Sequence, residues 1–326
     1  MTEWVFILLI VLLISLIYPI IRARFFSPVT HEVPGSGNNN RPEVKNLHKY
    51  IHQLTVRIGS RSVYEYEKLK ETEDYIEMVL KNLGVDYTLQ TYKWMGNAFS
   101  NIIVTIPGQE EPAKVFIIGA HYDTVFGTPG ADDNASAVAT LLELCRLLKD
   151  YQPSKTLKLI FFVLEEPPAF KTHHMGSYVY AKRAKEDKEK IYGMISLEML
   201  GYYSNIKGAQ MYPLPLMGLF YPNVPNFTGV VGNVQSRKLV KKIADSIKKN
   251  SPIPVETLST IKFVPGVDFS DHGSFWKMGY PAVMITDTAF YRNPNYHTPN
   301  DTIDTLDFSQ MSNLLPGLLQ AAKDLT

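Results

Sequence analysis

The sequence predicts a three-layer α/β domain, a mostly parallel mixed sheet flanked by helices, behind an N-terminal transmembrane helix. Three observations predict it. Apolar, β-branched runs recur without the alternation of a half-exposed strand, helical periodicities separate them, and the N-terminal stretch is far more apolar than the rest.

Taken in order, residues 4–21 read WVFILLIVLLISLIYPII and carry no charge over eighteen positions. At ~1.5 Å per residue they cover most of a ~30 Å hydrocarbon core. A cleaved signal peptide would need a basic start and a small-x-small cleavage site. MTEW has no basic residue and no such site follows, so residues 1–26 read as a membrane anchor. Arg22 and Arg24 follow the span while only Glu3 precedes it, which places the bulk of a single-pass protein on the cytoplasmic face. Residues 27–42, rich in Pro, Gly, Ser and Asn, read as a flexible linker.

Residues 43–326 then alternate between helical and strand patterns. VKNLHKYIHQL and KLKETEDYIEMVLKNLG place apolar residues three and four apart, the second closing on Gly84 as a C-cap. Strands are expected at 101–106, 114–120, 157–164, 192–199 and 281–286, and helices near 137–149, 175–184, 235–249 and 308–324. Residues 201–233, with many Pro, Tyr and Gly, read as a long loop or lid insertion.

Composition narrows the partners. Thirty-three Lys and Arg against thirty-two Asp and Glu give a net charge of +1, so no global field gathers nucleic acid. Cys145 is the only cysteine, which excludes an internal disulfide and a thiolate zinc cluster.

In open α/β sheets, ligands bind beyond the carboxyl ends of the strands. The informative acids and histidines fall there. His121 follows VFIIGA, Glu165 and Glu166 follow LIFFVL, Glu198 ends GMISL, and His297 lies in a loop beyond VMIT. Asp133 stands in GADDNASA, among residues too small to fill a core. Two imidazoles and four carboxylates converging on one crevice cost too much to bury unless a cation holds them. Two zinc ions about 3.5 to 4 Å apart can share one carboxylate and one water. Asp133 suits the shared position, with His121 and one acid completing one metal and His297 and another acid completing the second. Asp123, two residues past His121, is placed to accept the second imidazole N–H and fix its tautomer.

The stretches GAHYDT, GADDNASA, LEEP, SLEMLGYY, DHGSFW and YHTPNDTIDTLD together resemble the co-catalytic zinc exopeptidases of metallopeptidase family twenty-eight, which includes secreted bacterial aminopeptidases. The resemblance runs from Leu47 to the C-terminus. It implies that His121 and Glu198 bind one zinc, Glu166 and His297 the other, and Asp133 both. It further implies Glu165 as general base, Asp123 as the partner of His121, and peptide substrates. DHGSFW resembles a pocket-wall motif, and its Asp271 suits a helix N-cap equally. The chain departs from the family pattern at Ala137, where glycine is common, and at Glu198, where aspartate is common. The Pro-rich turn EEPPAFKTHHMGS is also longer than usual, and its His173 and His174 read as loop residues.

The resulting expectation is an aminopeptidase. Two alternatives remain at this level: a glutaminyl-cyclase-like acyltransferase using one zinc, and an inactive binding module on a peptidase fold. No ligand position is lost, as inactivity would require, and no G-x-S-x-G elbow supports serine hydrolysis.

Overall fold

The computed structural model describes residues 41–261 and 264–326. The expected anchor and nearly all of the linker lie outside the described residues. Among the described residues, no helix is long and apolar enough to cross a membrane.

Helix α1 (Pro42–His52) opens with proline at its first turn, where the missing N–H costs nothing, and buries Val44, Leu47, Tyr50 and Ile51 at helical spacing. Helix α2 (Tyr66–Leu83) ends on Gly84 at φ 69°, a left-handed cap that lets the Gly84 N–H reach the carbonyls of Leu80 and Lys81.

Eight strands follow: β1 (Tyr87–Trp94), β2 (Asn97–Ile106), β3 (Glu111–His121), β4 (Lys155–Phe162), β5 (Lys190–Glu198), β6 (Thr228–Asn233), β7 (Val255–Thr260) and β8 (Ala282–Thr286). They form one sheet in the order β1-β2-β4-β3-β5-β8-β6-β7. The central β4, β3, β5 and β8 are parallel. The β1–β2 hairpin joins β4 antiparallel on one side, and β6, with β7 parallel to it, joins β8 antiparallel on the other.

The remaining helices are α3 (Ala137–Leu148), α4 (Gly176–Glu186), α5 (Arg237–Asn250), α6 (His272–Lys277) and α7 (Phe308–Leu325). They cover both faces of the sheet, which explains why its inner strands are continuously apolar. In β3, Phe116, Ile118 and Ala120 enter the larger core with α1, α2, α3, α5 and α7. Val115 and Ile117 point the other way, against Tyr180 of α4 and Phe275 of α6. Neither face is left to water.

The sequence reading needs three corrections. The sequence does not predict strands β1 and β7, because edge strands keep one flank in solvent and their residues are mostly polar and half-exposed. The segment read as a loop through residue 233 ends in β6, whose run TGVVGN is short and glycine-broken. The apolar run expected as a strand to residue 164 leaves the sheet at Phe162, so Val163 and Leu164 carry the chain over the sheet's edge toward Glu165.

Asn101 of β2 fastens this turn. Its side chain accepts from the Val163 N–H and donates to the Gly176 carbonyl, drawing α4 against the end of β4. The approach requires glycine, since a Cβ at Gly176 would lie 2.3 Å from the Val163 carbonyl oxygen. Gly176→Ala should therefore cost about 1–3 kcal/mol, as overpacking does, and lower Tm by several degrees in a thermal melt. An unchanged Tm would mean that α4 retreats freely.

Candidate metal centre

The parallel strands deliver their last residues to one place. His121 ends β3, Glu198 ends β5, the Val163–Leu164 turn carries Glu165 and Glu166 over the end of β4, and the loop after β8 brings in His297. The segment between β3 and α3 supplies Asp133.

Asp133 lies between the two histidines. Its Oδ1 is 3.4 Å from His121 Nε2 and its Oδ2 is 3.0 Å from His297 Nε2. Glu198 Oε2 lies 3.5 Å from His121 Nε2, and Glu166 Oε1 lies 3.2 Å from His297 Nε2. Two triads result, His121–Asp133–Glu198 and Asp133–Glu166–His297, each with its donor atoms within 4.8 Å of one another. A third grouping joins His121 with Glu165 and Glu166. The structure thus brings together six of the seven residues singled out in the sequence around one point, with Asp123 immediately behind.

Asp123 does more than expected. The nearest acceptor to His121 Nδ1 is the Asp123 backbone carbonyl at 3.2 Å, with the carboxylate at 3.5 Å. An Nδ1–H donated to that carbonyl leaves the Nε2 lone pair facing Asp133 and Glu198. The carboxylate itself accepts the backbone N–H groups of Glu165 and Glu166, at 2.9 and 3.0 Å. One aspartate therefore sets a histidine tautomer with its main chain and clamps the diglutamate turn with its side chain.

Several supporting residues were not read from the sequence. Asp301 receives the Asp132 and Asp133 N–H groups on its two oxygens, at 2.9 and 3.0 Å. Asn134 donates to the Leu197 carbonyl and accepts from the Met199 N–H, stitching the Asp133 segment to both sides of Glu198. Ser270 donates to Glu198 Oε2 at 2.6 Å. Arg61, fully buried, donates to the carbonyls of Tyr122, Leu54, Gly59, Pro129 and Gly130 and so fixes the loop between His121 and Asp133. Asp301 lies in the stretch YHTPNDTIDTLD, but the partners of Asp301, Asn134 and Ser270, and those of Arg61 at Tyr122, Pro129 and Gly130, are remote in sequence and invisible to periodicity. Asp271 stands at the N-cap of α6 without making the capping hydrogen bond, so that part of the expectation is corrected. His174 stacks on Trp94 at 4.9 Å, and neither it nor His173 belongs to a metal-capable group.

Burial dominates the electrostatics. It pushes Glu165 well above the usual carboxylate range, Glu166 to about 8 and Glu198 upward, with neighbouring acids adding to the effect. Burial opposes protonation of the histidines, yet Asp133 and Glu166 raise His297 to about 10, and Glu198, Asp123 and Asp133 raise His121 well above its ordinary value. Asp133 is also resisted by burial, but the two imidazoles hold it below its ordinary value. The Nε2 of His121, the Oδ1 of Asp133 and the Nε2 of His297 are buried without a hydrogen-bond partner among the described residues. Orphaned imidazole nitrogens and a carboxylate oxygen facing one another fit divalent cations.

These shifts fix the sign of a pH effect in chelated protein. Glu166 has an ordinary value of 4.5 and a folded value of about 8, so its stabilising proton is fully present below 4.5 and lost as pH rises toward 8. His297 acts in the same direction between 6.5 and about 10. Metal-free protein should therefore be less stable to urea at about pH 8 than at about pH 5. A flat or rising profile would contradict the proton inventory.

Comparison with known proteins bears on what this arrangement belongs to. The chain is 38% identical over 322 residues to an uncharacterized protein, YfbL, of Escherichia coli, covering 96% of each chain. It is 27% identical over 298 residues to leucine aminopeptidase 1 of Metarhizium robertsii, covering 83% of this chain and 69% of the relative. Its fold matches the zinc aminopeptidase BSAP from Bacillus subtilis with a TM-score of 0.69 at 14% identity, over 86% of this chain and 95% of that one. The profile of peptidase family M28 matches residues 101–321, a span that takes in every member of both triads, and the chain belongs to that family.

Proposed function

We propose that the protein is a zinc-dependent aminopeptidase that works with two zinc ions. The observation that carries this reading is the division of Asp133 between two His–acid pairs, one carboxylate oxygen facing each histidine. His121 and Glu198 would hold one ion, His297 and Glu166 the other, and Asp133 both. Bound there, the ions supply Lewis-acid polarisation of the scissile carbonyl and a water acidified toward neutral pH. Membership of a peptidase family and the names of the aminopeptidase relatives support peptides as substrates.

The chain's own residues account for the rest. Glu165 is buried, follows the strand that brings in Glu166, and shares its metal-capable grouping with His121. Its carboxylate receives the proton of the attacking water and returns it to the leaving amine. Asp123 accepts the backbone N–H groups of both Glu165 and Glu166 and so holds their turn at the end of β4. A glutaminyl-cyclase-like enzyme needs one zinc, and two complete triads argue for the peptidase.

Glu165→Gln should retain both metals and lose about 10² to 10⁴ in kcat, the usual worth of a positioned base. Glu166→Gln should lose zinc along with activity. Metal analysis of both variants checks the pair, and depletion in Glu165→Gln but not Glu166→Gln would reverse the roles. Activity should also require a free substrate α-amine, so capped aminoacyl anilides should turn over slower by orders of magnitude. Equal rates would point to an endopeptidase or amidase.

We also propose that residues 1–26 anchor the enzyme to a bilayer with the catalytic domain on the cytoplasmic face, a side favoured by Arg22 and Arg24 behind the span. The uncharged run at residues 4–21 supports the anchor. Full-length protein should partition into a detergent phase while a chain beginning at Arg41 stays soluble and active. Soluble full-length protein would remove the anchor.

A further inference from the structure

Beside the metal centre the sheet itself forms the floor of a pocket. The ladder pairs Glu198 of β5 with Thr286 of β8, Thr286 with Gly229 of β6, and Gly229 with Glu256 of β7. Residues paired across strands project from the same face, and all four line this pocket. At ~4.8 Å between strands, the row places Glu256 about 14 Å from Glu198 along the sheet. Gly229 contributes no side chain, so the lane between them stays low.

The next row, Met284–Val231–Leu258, makes the floor apolar, and Tyr212 and Tyr221 contribute rings 5.6 Å apart to its wall. The Tyr221 hydroxyl is taken by the Thr257 carbonyl and that of Tyr212 by the Pro222 carbonyl, which fixes both rings. The cavity measures about 100 Å³. At ~10–15 Å³ per water-sized group, that is room for a side chain of several heavy atoms.

Glu256 is the anomaly in this apolar space. Among the described residues no Lys or Arg lines the pocket, and no ion pair engages Glu256; Lys248 of α5 is the cation that acts on it electrostatically. A charge on an edge strand that only deters pairing with other chains needs no pocket. Glu256 lines one.

We propose that this pocket receives the side chain of the substrate's N-terminal residue and that Glu256 selects lysine and arginine by pairing with their charged ends. The inference rests on the aminopeptidase reading above. A long basic side chain lays its methylenes over Met284 and Val231 and points its cation past the tyrosine rings toward the Glu256 carboxylate. Leucine fills the apolar near part and stops short. A glutamate side chain meets a like charge.

The test compares kcat/KM of the metal-loaded full chain for arginyl, lysyl, leucyl and glutamyl p-nitroanilides. Wild type should favour arginine and lysine over leucine. Glu256→Gln should lower the arginine-to-leucine ratio by about 10- to 100-fold, the usual worth of a charge-assisted hydrogen bond. Glu256→Lys should invert the preference between lysyl and glutamyl substrates. Ratios within one preparation do not depend on the folded fraction, so loss of fold cannot imitate the result. Calorimetric titration of L-arginine should show binding at least about ten times weaker in Glu256→Gln than in wild type. An unchanged ratio and unchanged arginine binding, with leucine still released, would overturn the role of Glu256 while leaving the aminopeptidase intact. Absence of turnover on every free-amine substrate would overturn both.

Discussion

Asp133 sets one carboxylate oxygen against a histidine at the end of β3 and the other against a histidine from the loop after β8, far along the chain. The rest of the centre depends on that sharing. A carboxylate free to rotate would serve one side or the other, so its backbone is held on both flanks. Asp301 takes the two N–H groups at Asp132 and Asp133, and Asn134 binds the main chain around Glu198. The supports are themselves buried, which makes their hydrogen bonds expensive to break and their geometry correspondingly rigid.

The same arrangement explains why the site is electrostatically poised. The three acids of the two triads and Glu165 gather where desolvation penalises every negative charge, and Arg61 directs its donors to backbone carbonyls behind them. Without metal, burial and the facing charges favour the protonated forms of Glu166 and His297, and bound cations would replace those protons. Burial is thus the source of both the cost and the affinity.

The sheet divides the labour. Its parallel centre brings the ligands to the carboxyl ends of β3, β4 and β5, while the added β6–β7 pair extends the floor outward from Glu198 and ends at Glu256. The proposed chemistry and the proposed side-chain selection would therefore occupy neighbouring stretches of one continuous surface. Thr286 and Gly229 separate Glu256 on the edge strand from Glu198 at the metal-capable cluster, so a change at one end of the row leaves the other in place.

The inner strands, the long helices and the residues that face one another at the centre are legible in the chain alone. Doubly buried strands must be apolar throughout, and polar residues clustered at their ends stand out against that background. His121, Asp133, Glu165, Glu166, Glu198 and His297 were legible for this reason. Edge strands β1 and β7 were not, since half-exposed polar strands resemble loops. Folding in three dimensions sets the Asp123 carbonyl, rather than its carboxylate, nearest to His121 and brings Asp301, Asn134, Ser270 and Arg61 behind the metal-capable residues. It alone put Glu256 in line with Glu198. Apart from the His121–Asp123 contact, such relations mostly join residues separated by scores of positions through hydrogen bonds and strand register, and no local pattern in a chain encodes which strand will lie beside which.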